Sequence, residues 1–187
     1  MAAWKLLESN TGHAVRMTDI AKATGVSRQA VYLHFLTRAD LLIATTRHVD
    51  EVNNVDARLA ESRSATSGAA RLTAFIDAWG NYIPVIYPVA KALRAMQEAD
   101  EDAGIAWSNR MAAVREGCQA AVSALKKEGA LSSDLSVGQA TDILWMLLSV
   151  ENWELLTKTR GWSQSRYIET IKYLAERTLL ATVTGSQ

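Results

Sequence analysis

In the run Asp19-Ile20-Ala21-Lys22-Ala23-Thr24-Gly25-Val26-Ser27-Arg28-Gln29-Ala30-Val31-Tyr32-Leu33-His34-Phe35, the residues able to do chemistry are hydrogen-bond donors rather than nucleophiles. Arg28 and Gln29 suit base edges, with Leu33 beside them, while Tyr32 and His34 can reach phosphate oxygens. Such groups read DNA only when a helix carries them into a groove, and the neighbouring residues supply that helix. Ile20, Ala21, Val26 and Val31 provide a small core between two short helices. Gly25 can take the positive φ of a sharp turn, and Ser27 opens the second helix as its N-cap. Ala21 and Ala30 are small enough for close approach. The pattern predicts helices over residues 17–23 and 27–35 crossing as a helix-turn-helix, with the start of the second facing the bases.

This segment, continued by Leu36-Thr37-Arg38-Ala39-Asp40-Leu41-Leu42, closely resembles the DNA-binding domain of the TetR family of repressors over residues 1 to about 47. The resemblance rests on the aromatic pair that ends the recognition helix, Tyr32 and Phe35, and on the basic residue of the next turn, Arg38. It implies phosphate contacts for Tyr32, His34 and Arg38, base-facing roles for Arg28 and Gln29, and packing for Phe35. Arg16 stands where the family carries Thr or Ser, which implies a direct phosphate contact by Arg16 with Thr18 assisting. Ser27 and Leu33 complete the expected DNA-binding set. The family's first helix is longer than the three residues before Trp4 provide. The resemblance further implies about nine helices in all, a homodimer made by the last two, and a ligand cavity in the larger domain. The resulting expectation is an all-α chain with a DNA-binding domain over 1–47 and a ligand-binding and dimerisation domain over 48–187.

Charge agrees with one end meeting phosphates. The 187 residues sum to zero net charge, but residues 1–48 hold six basic against three acidic side chains, a net of +3 that leaves −3 for the rest. All three histidines, His13, His34 and His48, fall in that first segment. A basic head on an acidic body is the asymmetry of a protein that binds nucleic acid at one end. An enzyme would need a convergent acid, base or nucleophile, and a metal site would need ligand spacing; neither pattern is present, and no cofactor is implied. The single cysteine, Cys118, lies among apolar residues at helical spacing and reads as packing in a reducing compartment. The longest apolar run, Ile143 to Leu148, is far short of the roughly 18 residues a membrane span needs, so a cytoplasmic protein without membrane contact is expected.

The remainder reads as helix. Thr37 and Asp40 form a capping box that starts a long fourth helix to about Ser62, and residues 62–68 read as a loop. A fifth helix over 69–82 is expected to stop at Pro84 and Pro88, with a short sixth over 89–98 ending in a solvated acidic turn, Asp100-Glu101-Asp102. A seventh carries the stripe Trp107, Met111, Val114, Cys118, Val122 and Leu125 and ends at Lys126-Lys127 and Gly129. Ser136 and Gln139 cap an eighth that runs to about Lys158, and a last helix spans 163–183. Trp79, Tyr82, Trp107, Met111, Trp145 and Trp153 are the candidates to line the cavity for an apolar or aromatic effector. Leu144, Leu148, Ile171, Leu174 and Leu179 suggest the homodimer face.

Overall fold

The computed structural model describes residues 2–9 and 15–181. The expected stop at residues 10–12 lies outside them, and the last helix, expected to run to 183, ends at Leu179, after which Leu180 is extended. The fold is all-α. Its helices are α1 (Ala2–Ser9), α2 (Met17–Thr24), α3 (Arg28–His34), α4 (Arg38–Val52), α5 (Val55–Arg58), α6 (Ala60–Ser64), α7 (Gly68–Met96), α8 (Glu101–Lys127), α9 (Val137–Leu147), α10 (Val150–Glu154), which runs into a π turn over Leu155–Thr159, and α11 (Gln164–Leu179). The chain divides into two compact units, Met1–Asn54 with Val85–Ala112, and Val55–Pro84 with Ala113–Gln187.

In the first unit α1 packs on α2 and α4, and α2 packs on α3. Leu7, Val15, Ile20, Ala21, Val31 and Leu42 fill the space between these helices. Local chemistry fixes the helix ends. Ser27 accepts from the Ala30 amide at 3.1 Å. Thr37 Oγ1 accepts from the Asp40 amide, and Asp40 Oδ2 accepts from the Thr37 amide, both at 3.0 Å. The long fourth helix is shorter than expected. Asn53 Nδ2 donates to the Val49 carbonyl at 2.8 Å, and Asn54 turns to φ 52°, a left-handed conformation that Asn tolerates better than most residues. The chain then continues as the separate turns α5 and α6, where a single helix to Ser62 was expected.

In the second unit Gly68 opens α7 where any side chain would collide, since a Cβ there would lie 2.9 Å from the Leu125 Cα. The Gly68 amide donates to Glu128 Oε2 at 2.6 Å. The predicted break at Pro84 and Pro88 does not occur, and α7 is one helix through both. Pro84 has no N–H for the carbonyl four residues back, that of Gly80, and Gln164 Nε2 donates to it instead at 2.9 Å. Pro84 itself is exposed, so the carbonyl that Pro88 cannot serve lies where solvent reaches.

The expected eighth helix instead breaks at Leu148 and Ser149. Three carbonyls freed by the break each accept from a side chain: Met146 from Asn152 Nδ2 at 2.5 Å, Leu147 from the Tyr167 hydroxyl at 3.3 Å, and Leu148 from Trp79 Nε1 at 3.2 Å. Ser149 caps the following turn by accepting from the Asn152 amide. The last helix starts where expected, with Ser163 as its N-cap, and packs on α9. Beyond it Leu180 is extended and forms a two-residue bridge with Leu131.

Candidate nucleic-acid interface

The α2–α3 corner is built from its turn outward. Gly25 takes φ 70°, and the Val26 amide closes back on the Ala21 carbonyl at 3.1 Å, a glycine C-cap that ends α2 and redirects the chain. Ile20, Ala21 and Val31 are buried beneath the corner. Val26 is not part of that core as expected. It is 47% exposed, because the turn spends its amide on Ala21 and leaves its side chain outward.

With α3 seated by Val31, its other face is open. Arg28, Gln29, Tyr32, Leu33 and His34 are all exposed, and Arg28, Gln29, Tyr32 and Leu33 line one hollow. Arg28 lies over the Tyr32 ring, 5.3 Å from its centroid, and its Nη2 donates to the Tyr32 hydroxyl at 3.4 Å. Leu33 is 84% and Leu36 85% exposed. Apolar side chains so placed suit thymine methyl groups. Phe35 is half-buried and lines an apolar hollow with Ile20 and Leu41.

A second hollow gathers Arg16, Thr18, Arg28, Tyr32 and Arg38, five members of the predicted set, together with Leu36, Thr37 and Asp102. Ser27 belongs to neither hollow, and its hydroxyl is committed as the α3 cap. His34 is exposed in the last turn of α3. Arg16 precedes α2, where its amide donates to Asp19 Oδ2 at 3.0 Å. A guanidinium has no acceptor, so the box is completed from the Asp19 side only.

Arg38 is already occupied. Its Nη1 and Nη2 donate to the two Asp100 oxygens at 2.7 and 2.8 Å, its Nη1 lies 3.4 Å from Asp102, and its Nε donates to the Val15 carbonyl at 2.5 Å. The hydrogen bonds that Arg38 donates hold the Asp100 carboxyl below its ordinary range, and the same bonds raise the arginine. The sequence reading missed this pair, since an acidic run followed by a helix looks the same whether it faces solvent or an arginine distant in the chain.

The ligand candidates separate. Trp79, Tyr82 and Trp153 are buried. Trp79 meets Tyr82 edge-on at 5.7 Å, and Trp153 donates to Gln164 Oε1 at 2.8 Å. Met111 and Trp145 are half-buried. Trp107 alone of the six lines the small apolar cavity between α4, α7 and α8. Cys118 is fully buried, and burial pushes its thiol up to about 12. Among the described residues no group of three or more His, Cys, Asp or Glu could hold a metal ion. No helix among them is long and apolar enough to cross a membrane. The expected dimer face also changes: Leu144, Leu148, Ile171 and Leu179 are buried within their own chain, because α9 and α11 pack on each other. Leu174 stays exposed, as do Met146, Leu155 and Tyr173.

Residues 1–45 match the family described as bacterial regulatory proteins, tetR family. No curated protein matches the chain. Among solved structures, the fatty acid degradation regulator FadR from Bacillus halodurans is 17% identical with a TM-score of 0.71, over 100% of this chain and 96% of that one. The transcriptional regulator FadR from Bacillus subtilis, in complex with stearoyl-CoA, is 13% identical with a TM-score of 0.71, over the same shares of 100% and 96%. A TetR transcription regulator from Haloarcula marismortui ATCC 43049 is 18% identical with a TM-score of 0.66, over 95% and 94%.

Proposed function

We propose, from the premise that this chain is a helix-turn-helix regulator of the TetR type, that it is a repressor which binds a palindromic operator as a homodimer and leaves it when a small molecule binds. The observation that carries the reading is the open face of α3, where Arg28, Gln29, Tyr32 and Leu33 surround one hollow on a helix whose opposite side is anchored by buried Val31. Arg28 and Gln29 read base edges, with Leu33 beside them. Arg16, Thr18, Tyr32 and His34 hold the backbone on either side. Arg38 joins the phosphate contacts when it is released from Asp100. Residues 1–47 serve DNA, and residues 48–187 serve ligand and dimer.

The homodimer forms through α9 and α11, where Met146, Tyr173 and Leu174 remain exposed at 53%, 58% and 39%. These are the apolar groups a second copy would cover. A regulator of the same fold holds stearoyl-CoA, which supports a small-molecule effector for this one. Selection of bound duplexes from a random pool tests the reading. The expected product is an inverted repeat bound by two chains, with affinity that falls steeply as salt rises. Recovery of no preferred sequence, together with salt-independent binding, would remove it.

A further inference from the structure

Leu33 and Leu36 are 84% and 85% exposed, whereas the next large apolar side chain among the described residues, Tyr173, is 58% exposed. A lone surface leucine is ordinary. Two of them on the face proposed to meet DNA call for a physical reason, and their surroundings differ. Arg28 and Tyr32 line both hollows of the interface, joined in one by Gln29 and Leu33 and in the other by Arg16, Thr18, Leu36 and Arg38. Leu33 therefore stands with the groups proposed for base edges, and Leu36 with those proposed for phosphate. Gln29 and Leu33 are four positions apart on α3, which puts them on one side of the helix about 6 Å apart along its axis. The buried Val31 anchors the opposite side.

We propose that Leu33 reads the C5-methyl group of a pyrimidine, thymine or 5-methylcytosine, close to the adenine that Gln29 reads. The inference rests on the regulator reading above and names part of the sequence that its DNA must carry. In the major groove guanine shows two acceptors, cytosine an amine donor, and adenine one of each, while thymine adds an apolar methyl to its acceptor. Methylation gives cytosine the same group at the same ring position. A leucine neither donates nor accepts. Against an unmethylated edge it would strip water from a polar atom and return no hydrogen bond. Against a methyl both partners lose apolar surface to water, and the contact is favourable. Gln29 suits adenine because its amide can pair with N6 and N7 together. The spacing then follows from two lengths. Four residues of helix advance about 6 Å and one base-pair step is about 3.4 Å, so the methyl lies within about two steps of that adenine. Of the two leucines only Leu33 has this role. Leu36, among Arg16, Thr18 and Arg38, meets the deoxyribose of the backbone, which is the same for every sequence.

Uracil is thymine without the methyl, so two selections from random duplex pools, one built with thymine and one with uracil in its place, test the proposal. The thymine pool should yield an inverted repeat with a fixed T·A pair within about two steps of the adenine. The uracil pool should yield a repeat in which that position is free. Synthetic duplexes of the recovered repeat then carry T·A, U·A, 5-methylcytosine·G or C·G at that position of both half-sites. Thymine should bind tighter than uracil by roughly fourfold for each methyl, and so by about fifteenfold for the two half-sites together. An equal gain for 5-methylcytosine over cytosine assigns the reading to the methyl alone, and a gain confined to T·A assigns it to thymine. Leu33→Ala, at a position too exposed to endanger folding, should bind thymine and uracil duplexes alike. Leu36→Ala should weaken both and keep their ratio. Equal binding of the two duplexes by the parent, or an undiminished thymine preference in Leu33→Ala, overturns the proposal. A consensus indifferent to the methyl sinks the methyl reading alone, whereas no consensus from either pool sinks the regulator reading and this one with it.

Discussion

Arg38, at the first position of α4, grips both oxygens of Asp100 across 62 positions of chain, and each side chain is only 14% exposed. The cation proposed to hold phosphate is therefore held by a carboxylate of the same molecule. Asp100→Asn should release it. Operator and random duplexes should then both bind more tightly, and the log-log salt slope should steepen by roughly 0.9 per head, or about twice that per dimer. Arg38→Ala should leave the slope nearly where the parent has it. Fluorescence anisotropy across a salt series decides, and a flat response to Asp100→Asn would show that the pair is structural only.

The same pair makes stability depend on acid. Arg38 lowers the Asp100 pKa in the folded chain, so the contribution is fully present above the ordinary aspartate value of about 4 and is lost as pH falls through the lower folded value. Replacing Asp100 by Asn should cost about 1–3 kcal/mol near neutrality, between the surface and buried limits for such pairs. Urea unfolding from pH 7 to pH 3 should show the gap between parent and variant closing below about pH 4.

Gln164 should matter through its reach to α7. Its Nε2 serves the Gly80 carbonyl that Pro84 cannot, and its Oε1 accepts from Trp153. Gln164→Ala should destabilise by about 2–4 kcal/mol, the sum of two partly buried hydrogen bonds. In a Pro84→Ala background the new amide can serve Gly80 itself, so the loss should shrink by about 1 kcal/mol. A double-mutant cycle in urea measures the difference, and strict additivity would mean that the Gly80 carbonyl is not what Gln164 supports.

These contacts mark where the sequence stops being legible. The ends at Ser27, Thr37 and Ser136 were readable because each cap bonds an amide three residues on. The α2–α3 corner was readable for the same reason, with Gly25 at φ 70° and its small core within a dozen positions. The continuity of α7 was not, because a proline ends a helix unless something distant serves the freed carbonyl, and that something is Gln164. The break at Leu148 was hidden likewise, since Trp79 and Tyr167 make it tolerable from other helices. Asn53 and Asn54 carried a local signal for the end of α4, but the apolar spacing through Val55 and Leu59 outweighed it. Near the candidate site, the helix α3 was legible from its cap and its buried Val31, while the Asp100 partner of Arg38 left no local trace.

Cys118 gives a further pH dependence of opposite sign. Its thiol is pushed up to about 12 by burial, so the folded chain favours the neutral form. That contribution is present below the unfolded thiol value of about 8.5 and is lost as pH rises from there toward the folded value. At pH 9 iodoacetamide should alkylate the native chain far more slowly than the urea-unfolded chain. Equal rates would mean that the thiol is reachable in the folded state.

The last prediction separates base reading from phosphate anchoring within the head. Arg28 and Gln29 sit in the first turn of α3 and share a hollow with Leu33 of its last turn, whereas Arg16 precedes α2, and both arginines are exposed. An arginine on a base edge discriminates by about 1–3 kcal/mol for a good bidentate pair, while one on a phosphate adds affinity for any sequence. Arg28→Ala should therefore flatten the preference at one position of each half-site. Arg16→Ala should weaken specific and random duplexes equally and reduce the magnitude of the salt slope by roughly 0.9 per head. Tyr32 adds a control, because Arg28 lies over its ring and reaches its hydroxyl. Tyr32→Phe keeps the ring but frees the guanidinium from that hydroxyl, so it should preserve most of the preference that Arg28→Ala removes. Competition binding against single-position operator variants measures all three. If Arg16→Ala changes base preference and Arg28→Ala changes only the salt slope, the helix assigned to the major groove is the wrong one.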